Sequence, residues 1–63
     1  MDKEEFYTHF CTVMRRCGNV KLKQIAAIGG VPLPQARKYL NELVKDGKIQ
    51  KIGASRATAY VFP

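Results

Sequence analysis

Three side chains able to read the edges of nucleic-acid bases recur at intervals of three residues: Gln35, Lys38 and Asn41. Carboxamides can pair bidentately with adenine, and an ammonium group can donate to guanine. Successive residues of a helix turn by about 100°, so Lys38, Asn41 and Lys45 share one face. Gln35 flanks that face, and Arg37 lies on a lateral edge. The pattern predicts a helix that presents amides and cations together.

Positive charge continues beyond this helix, through Lys45, Lys48 and Lys51 to Arg56. Arg56 stands among the small residues of "GASRA", a loop able to approach a phosphate backbone or a minor groove closely. The continuity favours a binding surface for a polyanion. The alternative is an ordinary solvated helix face, since every soluble helix has a polar outer side.

The charge of the whole chain supports a polyanionic partner. The 63 residues include 11 Lys and Arg against 5 Asp and Glu, a net charge of +6. Residues 1–17 are neutral in sum, so residues 18–63 carry the entire excess. Such asymmetry indicates nucleic acid or an anionic membrane surface. The membrane is disfavoured because the first helix, which has the most aromatic residues, is neutral.

Several classes of function are excluded by what the chain lacks. A chain of this size buries only about 60% of its unfolded surface, which leaves little material for a catalytic cleft. It has one histidine, no pair of carboxylates in register and no glycine-rich phosphate loop, so we expect neither an enzyme nor a cofactor. No run of about 18 apolar residues occurs, and the start "MDKEE" does not resemble a secretory signal. We therefore expect a cytoplasmic protein.

The two cysteines, Cys11 and Cys17, both fall in the first predicted helix. Six residues of helix separate them by about 9 Å along the axis, too far for a disulfide. A metal site that combines them with His9 lacks a fourth ligand, so no metal is expected. The cysteines are predicted to be small buried apolar residues.

The first helix is predicted from Asp2 to Cys17. Asp2 and Glu5 have the spacing of a capping box, and Gly18 supplies the C-terminal stop. The apolar stripe of this helix consists of Phe6, Phe10, Val13, Met14 and Cys17. The stripe predicts a scaffold role.

Two further helices are predicted, at Leu22–Ile28 and from Pro34 to Lys45 or Asp46. The pair Gly29-Gly30 ends the first of them and permits a sharp turn. Val20 and Lys21 are predicted to form a short edge strand. The apolar positions of these helices are Leu22, Ile25, Ala26 and Ile28 in the first and Ala36, Leu40, Leu43 and Val44 in the second, with Tyr39 at the border.

Strands are predicted at 48–52 and 58–62, with "GASRA" as the hairpin loop. Ile49 and Ile52 differ in parity, which requires a bulge or a short first strand. Helix, short helix, glycine turn, helix and basic hairpin together predict an α+β, mostly helical fold, a winged helix-turn-helix, as one domain over residues 1–63. Ala26, Gly30 and Ala36 have the spacing of its turn.

The segment "QARKYLNELVKDGKIQ", followed by an arginine-bearing loop and "ATAYVF", resembles the small winged-helix regulators of fimbrial operons typified by PapI and FaeA. The resemblance covers roughly residues 20–63. It implies a transcriptional regulator that binds operator DNA alongside a larger DNA-binding protein. It assigns DNA contacts to Gln35, Arg37, Lys38 and, in the wing, Arg56.

The sequence therefore predicts a regulator that binds double-stranded DNA with sequence preference, as a monomer in solution and a dimer on DNA. The alternative is a winged-helix interaction module that docks its basic face on an acidic protein. The predicted DNA-binding residues are Gln35, Arg37, Lys38, Asn41, Lys45, Lys48, Lys51 and Arg56.

Overall fold

Three helices precede a two-stranded hairpin in the computed structural model, which describes residues 1–53 and 58–63. The elements are α1 (Lys3–Cys17), α2 (Leu22–Gly29), α3 (Leu33–Lys45), β1 (Gln50–Ile52) and β2 (Ala59–Val61). Their order and type confirm the predicted mostly helical α+β fold of a winged helix-turn-helix.

Local capping explains the bounds of α1. The Asp2 carboxylate accepts the Glu5 backbone N–H at 2.8 Å, which satisfies a donor at the helix start. Gly18 adopts φ 77°, and its N–H donates to the Met14 carbonyl. Only glycine enters this left-handed region without strain, so the chain leaves the helix there.

The turn between α2 and α3 is made by Gly30, at φ 66°. Helix α2 extends to Gly29, one residue beyond the prediction, and α3 begins at Leu33, one residue before the predicted Pro34. The earlier start is physically reasonable because the first N–H groups of a helix have no internal partner. A proline in the first turn therefore costs no hydrogen bond.

The hairpin strands are antiparallel, with Lys51 opposite Tyr60. Val20 forms an isolated bridge to Tyr60, with N–H···O distances of 2.9 and 2.8 Å. The edge strand predicted at Val20 and Lys21 is thus reduced to a single bridge, because Lys21 is the N-cap of α2. Both hairpin strands are shorter than the predicted 48–52 and 58–62. Lys48 is excluded from β1 because its N–H donates to the Leu43 carbonyl at the end of α3. Because β1 begins at Gln50, the buried Ile49 lies before the strand, and its difference in parity from Ile52 requires no bulge.

The core joins all three helices to the hairpin. It contains Phe6, Phe10, Val13, Val20, Ile25, Ala26, Ala36, Leu40, Leu43, Ile49 and Tyr60. From α3, Ala36 and Leu40 are fully buried, and Leu43 is almost so. The predicted apolar face of α3 is thereby confirmed, with Tyr39 and Val44 partly buried beside it.

Two residues predicted to be buried are exposed. Cys17 is on the apolar side of α1 by angle but lies in the last turn, beyond the core, where the Gln24 amide donates to its sulfur at 3.5 Å. Cys11 is half-buried. Ile28 is 52% exposed, because it is rotated about 110° from the centre of the α2 face that contains Ile25 and Ala26.

Truncation of the α3 core contact should destabilise the fold strongly. Leu40→Ala should lower the free energy of unfolding by about 2–5 kcal/mol, because it removes methyl groups from a fully packed site. Urea melts followed by circular dichroism measure the change.

Leu33→Ala is the matched control, since Leu33 lies on the same helix but is 42% exposed. It should cost less than about 1 kcal/mol. Equal losses in the two variants would show that α3 packs in a different rotation.

Candidate nucleic-acid interface

A basic cleft lies where the start of α2, the side of α3 and the hairpin meet. Its volume is about 570 Å³, and it is lined by Lys21, Leu22, Lys23, Arg37, Lys51, Thr58 and Tyr60. Four of these side chains are cations, and no carboxylate is among the described residues that line it. Cations so arranged concentrate positive potential and attract anions.

Helix α2 places Lys21 and Lys23 on this cleft through its first turn. Lys21 is the N-cap, its carbonyl accepts the Ile25 N–H at 3.0 Å, and its own N–H donates to the Gln24 side chain at 3.3 Å. Leu22, between the two lysines, is partly buried against the core. The first turn of α2 contains no acidic residue, so the positive end of the helix is not neutralised locally.

Arg37 and Lys51 reach the same cleft from the other two elements. Arg37 follows the fully buried Ala36, and a step of about 100° turns it to the side of α3. Lys51 is exposed on β1 opposite the buried Tyr60, whose backbone also pairs with Val20. Pairing of the strands thus holds Lys51 across β2 from the segment that leads into α2.

The outer face of α3 is exposed, as the helical spacing predicted. Lys38, Asn41 and Lys45 all face solvent there. Gln35, also exposed, lies on the edge of α3 opposite Arg37, about 160° away around the helix axis. Its amide nitrogen donates to the Tyr39 hydroxyl at 2.9 Å, and that hydroxyl donates to the Met1 carbonyl at 2.7 Å.

Lys48 is placed in a separate groove, beside α1. Its ammonium nitrogen lies 5.4 Å from the centroid of the Tyr7 ring, a cation–π distance. Burial, and then the nearby Cys11, raise the pKa of Tyr7. Lys3, in the same groove, forms an ion pair with Asp46 at 3.0 Å, which raises the pKa of Lys3. The cations of this groove therefore already have partners within the chain.

The structure thus divides the predicted binding residues into groups. Arg37 and Lys51 share the basic cleft, whereas Lys38, Asn41 and Lys45 form the outer face and Gln35 the far edge of α3. Lys48 faces α1, and Arg56 lies outside the described residues.

Lys21 and Lys23 line the cleft although they are not among the predicted binding residues. They belong to the basic excess of residues 18–63, but no binding role was predicted for either of them. The sequence did indicate an anion-binding position there, because two lysines without a nearby acid stand at a predicted helix start, where backbone N–H groups favour anions.

A sequence profile of the FaeA-like protein family matches residues 2–61. The chain belongs to this family. The match supports a DNA-binding regulator of the fimbrial-operon type, and families of such regulators are in general not enzymatic. It also extends the resemblance, seen from residue 20 onward, to α1.

The fold of this FaeA-like chain is similar to that in the crystal structure of the DIP2311 protein from Corynebacterium diphtheriae. The TM-score is 0.87 at 19% sequence identity, over 98% of this chain and 11% of that one. The chain thus spans about a tenth of the other protein's length, and the likeness concerns the fold alone. No curated protein matches the chain significantly. In the part of the chain that the structure describes, no helix has the length and apolarity to cross a bilayer.

Removal of single charges should distinguish the contribution of the basic cleft to heparin binding from that of net charge. Lys23→Gln and Lys51→Gln should each elute from heparin at lower salt than the unmodified protein. Lys3→Gln removes the same charge from a lysine already paired with Asp46 and should elute close to the unmodified protein. Equal shifts for all three variants would mean that only net charge controls retention.

Proposed function

We propose that this FaeA-like chain is a transcriptional regulator that binds double-stranded DNA with sequence preference, with α3 in the major groove and the hairpin on the backbone or minor groove. Residues 1–63 act as one DNA-binding domain in the cytoplasm. The observation that carries the proposal is the convergence of four cations from three elements beside the exposed polar face of α3. Family membership supports the same conclusion.

The leading half of α3 supplies the base contacts in this docking. The major groove, about 12 Å wide, admits a helix and displays a distinct donor and acceptor pattern for each base pair. Lys38 can donate to guanine, and Gln35 can pair with adenine. Asn41 and Lys45 follow along the same helix, where they extend the contact towards the backbone.

The basic cleft supplies the phosphate contacts. Lys21, Lys23 and Lys51 lie beside Arg37 on one side of α3, where the DNA backbone would border the groove that the helix occupies. The backbone N–H groups that begin α2 add donors at the same place. Such contacts orient the protein on the duplex without reading its sequence.

A protein partner is the second candidate. Ile28 is 52% exposed and Leu33 42% exposed, on either side of the turn between α2 and α3. Exposed apolar side chains of this size suit contact with another protein. We propose that a larger DNA-binding regulator is that partner. We also propose that the chain is a monomer in solution and a dimer on DNA. Sedimentation with and without operator DNA tests the oligomeric state.

Salt dependence tests the electrostatic part of the proposal. The logarithm of duplex affinity should fall against the logarithm of salt concentration with a slope of about −0.9 per phosphate contact, and we expect about four to six contacts. Fluorescence anisotropy with a labelled duplex measures the slope. A flat response would contradict anchoring to phosphates by these cations and favour the alternative, an interaction module for a protein partner.

Base reading should be separable from backbone anchoring. Gln35→Ala or Lys38→Ala should flatten the preference among single-base variants of the best site, because each removes a contact worth about 1–3 kcal/mol of discrimination. Arg56→Ala should weaken all duplexes by a similar factor and reduce the salt slope by about one.

The measurement is binding of each variant to a site selected from random duplexes and to its single-base mutants. Loss of specificity in Arg56→Ala, with Gln35→Ala and Lys38→Ala unchanged, would identify the wing as the reading element and contradict this docking.

A further inference from the structure

A chain of two hydrogen bonds connects the start of α3 to the N-terminal residue. The Gln35 amide nitrogen lies 2.9 Å from the Tyr39 hydroxyl oxygen, and that oxygen lies 2.7 Å from the Met1 carbonyl oxygen. Tyr39 is half-buried, with its ring 5.1 Å from that of the fully buried Phe6. Packing of the ring therefore holds the hydroxyl at a defined place beside the exposed Gln35.

The direction of both hydrogen bonds follows from the chemistry of the groups. A backbone carbonyl can only accept, so the single hydroxyl hydrogen of Tyr39 must point to Met1. The hydroxyl oxygen can then only accept from Gln35, which must offer an amide N–H rather than its carbonyl oxygen. Met1 and Tyr39 together thus fix the orientation of the Gln35 side-chain amide.

An amide held in this way keeps one N–H and its carbonyl oxygen for a ligand. Adenine presents an acceptor at N7 and a donor at its amino group in the major groove, and these match the two remaining groups. Guanine presents two acceptors, at N7 and O6, so the Gln35 carbonyl oxygen would face O6 without a hydrogen between them.

We propose that Tyr39 is a positioning residue that makes Gln35 selective for adenine over guanine. The inference rests on the proposed function, since it concerns the same DNA-reading helix. Without the hydroxyl, the Gln35 amide can rotate and offer both N–H groups to guanine. Tyr39 itself touches no base; it acts through the amide of Gln35.

The test is Tyr39→Phe, which keeps the ring against Phe6 and removes only the hydroxyl. The site is first selected from random duplexes with the unmodified protein, and the base pair read by Gln35 is the one at which Gln35→Ala loses preference. At that pair, Tyr39→Phe should reduce the adenine-over-guanine affinity ratio by about 2- to 12-fold, the factor expected for one net hydrogen bond. Discrimination at the other pairs should stay unchanged.

A double variant distinguishes positioning from a general structural effect. Tyr39→Phe in the Gln35→Ala background should cause no further loss of discrimination, because the group that it positions is absent. In the Lys38→Ala background, Tyr39→Phe should reduce the adenine-over-guanine discrimination by the same factor as in the unmodified protein. Tyr7→Phe, which removes the hydroxyl of another half-buried tyrosine, on α1, is the matched control and should leave the adenine-over-guanine ratio unchanged.

The free protein provides a readout that needs no DNA. In nuclear magnetic resonance relaxation, the Gln35 side-chain amide should be more ordered than that of the exposed Gln50 on β1. Tyr39→Phe should remove this difference, whereas Tyr7→Phe should not. A Gln35 amide as mobile as that of Gln50 in the unmodified protein would overturn the inference.

The binding results separate the two proposals. In one outcome, Tyr39→Phe leaves the site preference fully unchanged while Gln35→Ala still reduces it. That result would overturn the positioning role and leave the proposed function intact. Failure of the unmodified protein to bind any duplex would overturn both.

Discussion

Burial of the apolar stripe of α3 is the interaction on which the rest of the structure depends. Ala36, Leu40 and Leu43 are at most 1% exposed, so the rotation of the helix about its axis is set by the core. A change of one residue in that rotation would turn the outer face by about 100°. The contact that stabilises the domain therefore also decides that Lys38 faces outward while Arg37 and Gln35 occupy opposite edges.

The small residues of the turn decide where α2 lies against this helix. Ala26 and Ala36 are both buried, and Gly30 bends the chain between them with a positive φ. Small side chains let the two helices approach closely, and the approach brings the first turn of α2 to the cleft beside Arg37. The phosphate-binding role proposed for Lys21 thus depends on packing at the other end of the same helix.

Much of the fold could be predicted because its signals are local. The Asp2 cap, the glycines at positive φ and the helical periodicity of α1 and α3 each depend on neighbours within a few residues. The rotation of α3 was predictable for the same reason, since one apolar stripe specifies it. The ends of the strands were less predictable, because the Lys48 N–H donates a hydrogen bond to the Leu43 carbonyl and Lys48 does not enter β1.

The composition of the candidate site could be predicted only in part, because a cleft is built from distant segments. Lys21 and Lys51 are thirty residues apart in the sequence, and their proximity results from the Val20–Tyr60 bridge. Lys48 was predicted to continue the positive charge of α3 into the hairpin, and the structure places it in the groove beside α1. Tertiary contact with Tyr7 turns it towards α1 instead.

In the proposed docking, α3 and the basic cleft together form one DNA-binding surface. An amide chemical-shift titration of the protein with duplex DNA tests it most directly. We expect perturbed amides at Lys21–Lys23, in the leading half of α3 and at Lys51, with the middle of α1, residues 7–14, unaffected. Perturbations confined to α1, or none with any duplex, would contradict it.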